Sequence, residues 1–219
     1  MLPGVGGSLL PARFLADGLW KPHAPNDSDG LARGHVHLER WWRRVSETCG
    51  PATGIRAVAD LVATPLAGIL GFRVRATAFS GPRAILRLEP RRGSDAPVAM
   101  LVLPWSSRPS IAWRDLVGQA QTIGASWGFV LAPPYLSLID VRAPAVRRSV
   151  DFALPEAFDG RSFAAFWSLA SARSFTREPT DGQQEPAARI DRVVAASVAF
   201  ADGVRRDLQE GVIQALAEL

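Results

Sequence analysis

The sequence predicts a mixed α/β domain carrying a long helix near its C-terminal end. Three observations carry that expectation. Apolar residues follow helical spacing up to about residue 70 and then switch to alternation, the change of period that separates helix from strand. The stretch "PVAMLVLPW", residues 97 to 105, is the most apolar run of the 219-residue chain and reads as a strand buried on both faces. A helical pattern follows it at once, and two further strand patterns come after that. The resulting order is helix, three strands, helix, two strands, helix, with the sheet mixed and the helices laid against it.

Taken in order, "SLLPARFLADGLW" reads as a short helix or an arm, and residues 21 to 34, "KPHAPNDSDGLARG", as a loop rich in Pro, Gly, Asn and Asp. Helical spacing begins at His37 and stops at Gly50. In "TGIRAVADLVATPLAGILGF", Ile55, Val58, Leu61 and Val62 share a face that Leu66, Ile69 and Leu70 continue, with Pro65 expected to kink or split the helix. "FRVRATAF" alternates apolar and basic residues as a half-buried strand does. After a "GPR" turn, "AILRLEP" points Ala84, Leu86 and Leu88 inward. The turn "RRGSDA" leads to the central strand at 97 to 103, followed by a helix from about Ile111 to Gly124. The strands "WGFVLA" and "YLSLIDV" follow, then one more in "RRSVDFAL" and a helix in "SFAAFWSLASARSF". Residues 176 to 186 form a polar linker. From Ala187 to Leu219 one amphipathic helix places Ile190, Val194, Val198, Val204, Leu208, Val212 and Leu216 in a stripe about 50 Å long. It runs to Leu219 without a terminating glycine, as in a chain cut from something longer.

Composition bounds the function classes. A hydrophobic fraction of 47% and a charged fraction of 21% are those of a soluble globular protein. No apolar run reaches the length of a membrane span, and the N-terminus lacks the basic start and apolar stretch of a signal peptide, so a cytoplasmic protein with no membrane partner is expected. Cys49 is the only cysteine, which excludes an internal disulfide and a cysteine zinc site. Of the 25 basic residues only Lys21 is a lysine. Genomic base composition accounts for part of that bias, since Ala, Gly and Pro are also abundant. A net charge of +4 and a pI near 10.4 still favour a polyanionic partner, and arginine matches phosphate geometry best. The arginines cluster as Arg40, Arg43 and Arg44; Arg91 and Arg92; Arg147 and Arg148; Arg205 and Arg206.

Several motifs are excluded on chemistry. "APPYLSL", residues 132 to 138, sits where adenine methyltransferases carry an Asn-Pro-Pro-Tyr motif, but Ala132 offers no acceptor for a target amine. No upstream strand leads into a Gly-x-Gly turn for S-adenosylmethionine, so "APPY" reads as a hairpin turn. His35, His37 and Glu39 would share a face only if extended, and helix is expected there, so they read as helix surface and not as metal ligands. No nucleophile elbow and no phosphate loop is present. The tryptophans read mostly as core; Trp42, beside Arg43 and Arg44, is kept as a nucleic-acid contact.

Four stretches, "LERWWRRVSETCGPATGIRAVADLVATPLAGILGFR", "GQAQTIGASWGFVLAPPYLSLIDV", "RRSVDFALPEAFDGRSFAAFWSLASARSF" and "IDRVVAASVAFADGVRRDLQEGVIQALAEL", resemble the N-terminal region of type IIG-like restriction–modification proteins. These fuse an endonuclease-like domain to an N6-adenine DNA methyltransferase. The likeness covers the chain from about residue 38 onward. It implies a PD-(D/E)xK nuclease-like core, spanning 37–175, between an N-terminal arm and loop (1–36) and a linker (176–186). The helix at 187–219 then leads toward a methyltransferase domain absent from this chain.

Active members of that family hold Mg²⁺ with an Asp near the start of the second strand and a Glu on the third, and a Lys two residues later orients the attacking water. Here Val102 stands in the place of the Glu and Pro104 in that of the Lys. Asp95, in the preceding turn, is the nearest carboxylate, and Glu89 shares its strand face with Arg87 as a solvated residue. Gln119 and Gln121 lie on the helix where related nucleases carry a DNA-facing Gln, and the "APPY" turn aligns with the family's hairpin. The resemblance therefore implies a catalytically silent, nuclease-like domain of a phage-defence DNA methyltransferase. It would bind duplex DNA through Trp42, Arg43, Arg44, Gln119, Gln121, Arg147 and Arg148. It would hold no cofactor itself, S-adenosylmethionine belonging to the downstream methyltransferase domain or subunit. Two alternatives stand beside it: a Mg²⁺-dependent endonuclease using migrated carboxylates such as Asp95 and Asp115, and a protein-interaction module built on the long helix.

Overall fold

A computed structural model describes residues 2–23, 28–91, 96–178 and 187–217; Arg92 and Asp95 lie outside them. At its centre is a seven-stranded mixed sheet. Its strands are β1 (Val5–Gly7), β2 (Phe72–Ser80), β3 (Arg83–Pro90), β4 (Val98–Val102), β5 (Trp127–Ala132), β6 (Tyr135–Asp140) and β7 (Ser149–Ala153), in the spatial order β1-β7-β6-β5-β4-β3-β2. Only β4 and β5 run parallel, and the crossover they require is supplied by a helix, as parallel neighbours demand. The sequence expectation of a mixed α/β sheet with a central β4 holds: all five β4 residues are buried.

Before the sheet come α1 (Ala12–Ala16), α2 (Ser28–Thr48), the short α3 (Ile55–Ala57), a π-helical segment (Val58–Ala63) and α4 (Thr64–Ile69). The expected loop at 21–34 is helical from Ser28. Its glycines mislead a local reading, because Gly34 is chosen for space: a Cβ there would lie 2.3 Å from the Trp167 ring. The π segment explains a second difference. Pro65 carries no N–H to continue an α ladder, and the wider turns before it take up the mismatch. Burial then recurs every fourth residue, at Val58, Val62, Leu66 and Leu70, while Leu61, expected inward, is 54% exposed.

In β2 the expected alternation breaks at Arg75, where a bulge opposes two residues to one on β3. The bulge sets Thr77 and Phe79 opposite Leu86 and Ala84, on the face that carries Phe72 and Val74, where Phe79 is 37% exposed with the Arg56 guanidinium 4.6 Å from its ring centre. The Pro133-Pro134 turn joins β5 to β6 as the expected hairpin. The three-residue β1, unforeseen from its sequence, closes the far edge against β7.

After β4, a 3₁₀ turn (Pro109–Ala112) leads into α5 (Trp113–Thr122), shorter than the expected 111 to 124. After β7 come α6 (Leu154–Ala157) and α7 (Gly160–Ala170), the latter started by Asp159, whose carboxylate accepts the Gly160 N–H at 2.8 Å. The short strands β8 (Arg177–Glu178) and β9 (Ala187–Ala188) pair with each other, and α8 (Arg189–Ala217) follows. Helix therefore begins two residues later than expected, because Ala187 and Ala188 give their backbone to that ladder.

Alternation along the strands makes two cores. Val98, Met100 and Val102 face α2, the π segment, α4, α7 and the start of α8; Ala99, Leu101 and Leu103 face α5. Among the described residues no helix is long and apolar enough to cross a membrane.

Candidate nucleic-acid interface

The end of β4 is apolar in every direction. Val102 is fully buried, paired across the sheet with Ala84 on β3 and Leu131 on β5. Pro104 is half-buried, and Trp105 after it stacks on Trp42 of α2 at 6.2 Å and 16°. A carboxylate placed at Val102 would have no polar partner in that packing, and an isolated buried charge is strongly disfavoured. Among the described residues no three of His, Cys, Asp and Glu gather closely enough to hold a metal ion. Asp95 lies outside those residues. Asp115, in the first turn of α5, is engaged by Arg83 of β3. Glu89, expected to be solvated, is three-quarters covered and paired with Arg75 at 2.5 Å and with Arg87 at 3.5 Å. The Arg75 hydrogen bond, aided by the charges of Arg75, Arg87 and Arg73 and opposed by burial, holds its carboxyl below the ordinary range.

The "HVHLE" stretch is helical, so His35 and His37 diverge. His35 Nε2 lies 2.8 Å from the Phe158 carbonyl oxygen and 3.6 Å from Glu39, its ring edge-on to Phe163. That is a helix-packing role.

The expected nucleic-acid residues fall into two separate groups. On α2, Trp42 is half-buried, with Trp105 on one face and Trp41 beside it, so it is only in part free to stack a base. Arg40, Arg43 and Arg44, three and four residues apart, share the exposed face of the helix, and none has an ion-pair partner among the described residues. On the other side of the sheet, Gln121 is exposed beside Arg114 and Arg147, whereas Gln119, two residues earlier, is half-buried and turned away. Arg147 is exposed, with φ 48° and a carbonyl that accepts the Ser8 hydroxyl at 3.1 Å. Arg148 is half-buried, its carbonyl accepting the Asp140 N–H at 3.3 Å. Arg205 lies far along α8, bonded to Asp202.

Two arrangements escaped the sequence reading. Asp140, 6% exposed, accepts from Nε and Nη2 of Arg142 at 2.8 and 2.9 Å, and Arg142 Nη1 donates to Asp191 of α8 at 2.7 Å. Hydrogen bonding to Asp140 and the charge of Asp191 raise the Arg142 pKa against the opposing effect of burial. Trp127 Nε1 donates to the same Asp191 oxygen at 3.2 Å, so this network ties the start of α8 to the sheet.

The second arrangement is a trough. Helix α5 covers β4 and β5, the 3₁₀ turn before it reaches β6, and beside them over β6 and β7 lies a cavity of about 330 Å³. Tyr135, Ser137, Ser149 and Asp151 are on its floor, and Arg108 and Trp113 at its wall. Polar residues at alternate places in "YLSLID" and "SVDFA" are the signal in the sequence, since alternate residues of neighbouring strands share one face. Comparison with protein-family models, with curated proteins and with solved structures finds no match to this chain.

Proposed function

We propose that this chain is a catalytically silent, PD-(D/E)xK nuclease-like domain that binds duplex DNA and supports a DNA adenine methyltransferase in a restriction–modification system. The observation that carries the proposal is the pairing of β4's place in the sheet with its chemistry. Helix, three antiparallel strands, a crossover helix and a strand parallel to the third is the order expected of that nuclease class. In that order β4 is the strand that would carry the metal-binding Glu and the Lys, and it presents Val102 and Pro104, with Trp105 and Trp42 closing over its end. Magnesium needs several oxygen ligands in fixed geometry, and an apolar strand end supplies none. Duplex binding is then assigned to arginine–phosphate contacts, with Arg40, Arg43 and Arg44 as the largest group that shares one exposed face.

Incubation of the purified protein with supercoiled plasmid and Mg²⁺ or Mn²⁺ tests the silent reading, and no metal-stimulated nicking is expected. Nicking that disappears in Asp95→Ala or Asp115→Ala would replace it with the migrated-carboxylate nuclease. One observation favours a second reading, an interaction module: the outer half of α8 exposes Leu208, Val212, Ile213 and Leu216.

A further inference from the structure

The floor of the trough is built from alternate residues of two paired strands. Tyr135 pairs with Ala153, Ser137 with Asp151 and Ile139 with Ser149, so one hydroxyl and one carboxylate lie side by side at its centre. Asp151 receives the Ser149 hydroxyl on Oδ2 at 3.2 Å, which leaves Oδ1 to accept from a ligand. Gly6 of β1 pairs with Asp151 on the other side, and no heavy atom stands within 4 Å of where its Cβ would be, so the floor stays open past β7. Trp113 is fixed at the wall by its indole N–H, which donates to the Pro144 carbonyl at 3.2 Å, and Tyr135 remains 45% exposed.

Two arginines enter this trough from opposite ends of β6. The segment bearing Arg108 is pinned at the N-terminal end, where the Ser106 N–H donates to the Pro133 carbonyl at 2.7 Å. Arg147 stands at the other end, two residues before Ser149, which pairs with Ile139. Neither guanidinium has an acidic partner among the described residues, whereas Arg75 and Arg83 on the sheet and Arg142 just after β6 are paired. Cation at each end, aromatic rings on wall and floor, and an open acceptor at the centre complement one chemical unit. It has a phosphate on either side, a planar ring, and an amino group on that ring. A volume of about 330 Å³ is at the small end of ligand sites, room for one such unit and not two.

We infer that the trough holds one unpaired nucleotide of a DNA strand, with its flanking phosphates on Arg108 and Arg147, its base against Trp113 and Tyr135, and its exocyclic amino group on Asp151. The inference rests on the nucleic-acid reading above only for the source of the strand, because Arg43 and Arg44, assigned to the duplex, lie on the opposite side of the sheet. A carboxylate acceptor selects cytosine, through its N4 amino donor, over thymine, which offers a carbonyl there.

Titration calorimetry with the single-stranded pentamers dTTCTT and dTTTTT tests it on the full chain. Wild type is expected to bind dTTCTT about fivefold or more tightly than dTTTTT, in the range a single base contact provides. Asp151→Asn should abolish that preference, since the new amide offers a donor as well as an acceptor. Arg108→Ala with Arg147→Ala should weaken both pentamers about tenfold or more, because both phosphate contacts are lost. Asp151→Trp, at an exposed floor position, should block both while leaving the melting temperature and the binding of a blunt duplex unchanged. Pentamer affinity unaltered in Asp151→Trp, or equal affinity for the two pentamers in wild type, overturns the assignment. Free dCMP binding as tightly as dTTCTT overturns the strand as the source. Duplex binding that persists while the pentamers ignore the trough variants discards the trough and keeps the domain reading. Pentamer binding without duplex binding does the reverse.

Discussion

Glu89 and Gly34 show how single side chains here are fixed by groups distant in sequence. The Glu89 carboxyl is held below its ordinary value of 4.5 chiefly by the Arg75 hydrogen bond. A lowered folded-state value gives stability that is complete above the unfolded carboxyl's range and is lost as pH falls through the folded value. Glu89→Gln should therefore lower the urea midpoint near neutral pH, and the gap to wild type should close as both proteins are taken below pH 4.5. A gap that stays constant across the series would show that the pair contributes nothing pH-dependent. At Gly34 two effects oppose each other. Alanine in a helix interior gains about 1 kcal/mol over glycine, but overpacking a filled site costs about 1–3 kcal/mol. The new Cβ would lie 2.3 to 2.7 Å from three atoms of the Trp167 ring, and rigid ring atoms cannot move aside singly. Gly34→Ala should lower the melting temperature, and Trp167→Leu in the same chain should recover part of the loss. A melting temperature at or above wild type for Gly34→Ala would mean that α2 and α7 do not approach this closely.

Among the elements, α8 divides into a packed half and an exposed half. Ile190, Val193, Val194 and Ser197 are buried, whereas Val204, Leu208, Val212, Ile213 and Leu216 are 37 to 67% exposed. Val198, expected in the buried stripe, is on the outside at 42% because the packed face passes through Ser197 instead. Isolated helices of this kind gain their stability mainly by covering such a stripe. A second copy fits it: antiparallel pairing centred on Leu208 sets Val204 opposite Val212, apolar on apolar. Sedimentation should show concentration-dependent association that Leu208→Glu with Val212→Glu abolishes, without lowering the melting temperature of dilute protein. A Cβ added at Gly203 or Gly211 would meet nothing within 4 Å, so Gly203→Ala should instead stabilise α8 by about 1 kcal/mol. Elements governed by their own pattern were legible in the sequence: the central β4 and the β5–β6 hairpin, whereas the helix expected to kink or split at Pro65 runs on through it from the π segment into α4. Those governed by a distant partner were not. The start of α2 depends on Trp167, β1 exists only because β7 is beside it, and the outer half of α8 has an apolar stripe no different in sequence from the buried half. The candidate residues were legible as types, since arginine, glutamine and tryptophan stand out, but their division between the two sides of the sheet follows from the crossover through α5. The trough needed that crossover too, because α5, placed over β4 and β5, leaves Tyr135 and Asp151 exposed beside it.

For the whole molecule, that division decides how duplex DNA can be held. Arg43 and Arg44 face outward from α2, while Arg147 lies beyond the opposite face with α5, so one straight duplex cannot engage both groups together. Three exposed arginines on α2 would contribute a slope of about −3 in log K against log salt, at roughly −0.9 per neutralised phosphate. Engagement of both sides at once would steepen it toward about −5, a value that would require the DNA to wrap the domain. Replacing Arg43 and Arg44 with Ala should reduce the slope by about 2 and weaken all sequences alike, because phosphate contacts position without specifying. Replacing Arg147 and Arg148 should change it by less than about 1, since Arg148 is half-buried and only Arg147 is free to meet a phosphate. Anisotropy of a labelled duplex across a salt series measures each slope directly. Equal losses from the two pairs would point to wrapping. A slope near zero in wild type would remove duplex DNA from the account, leave the arginine bias to genomic composition, and put the apolar stripe of α8 forward as the functional surface.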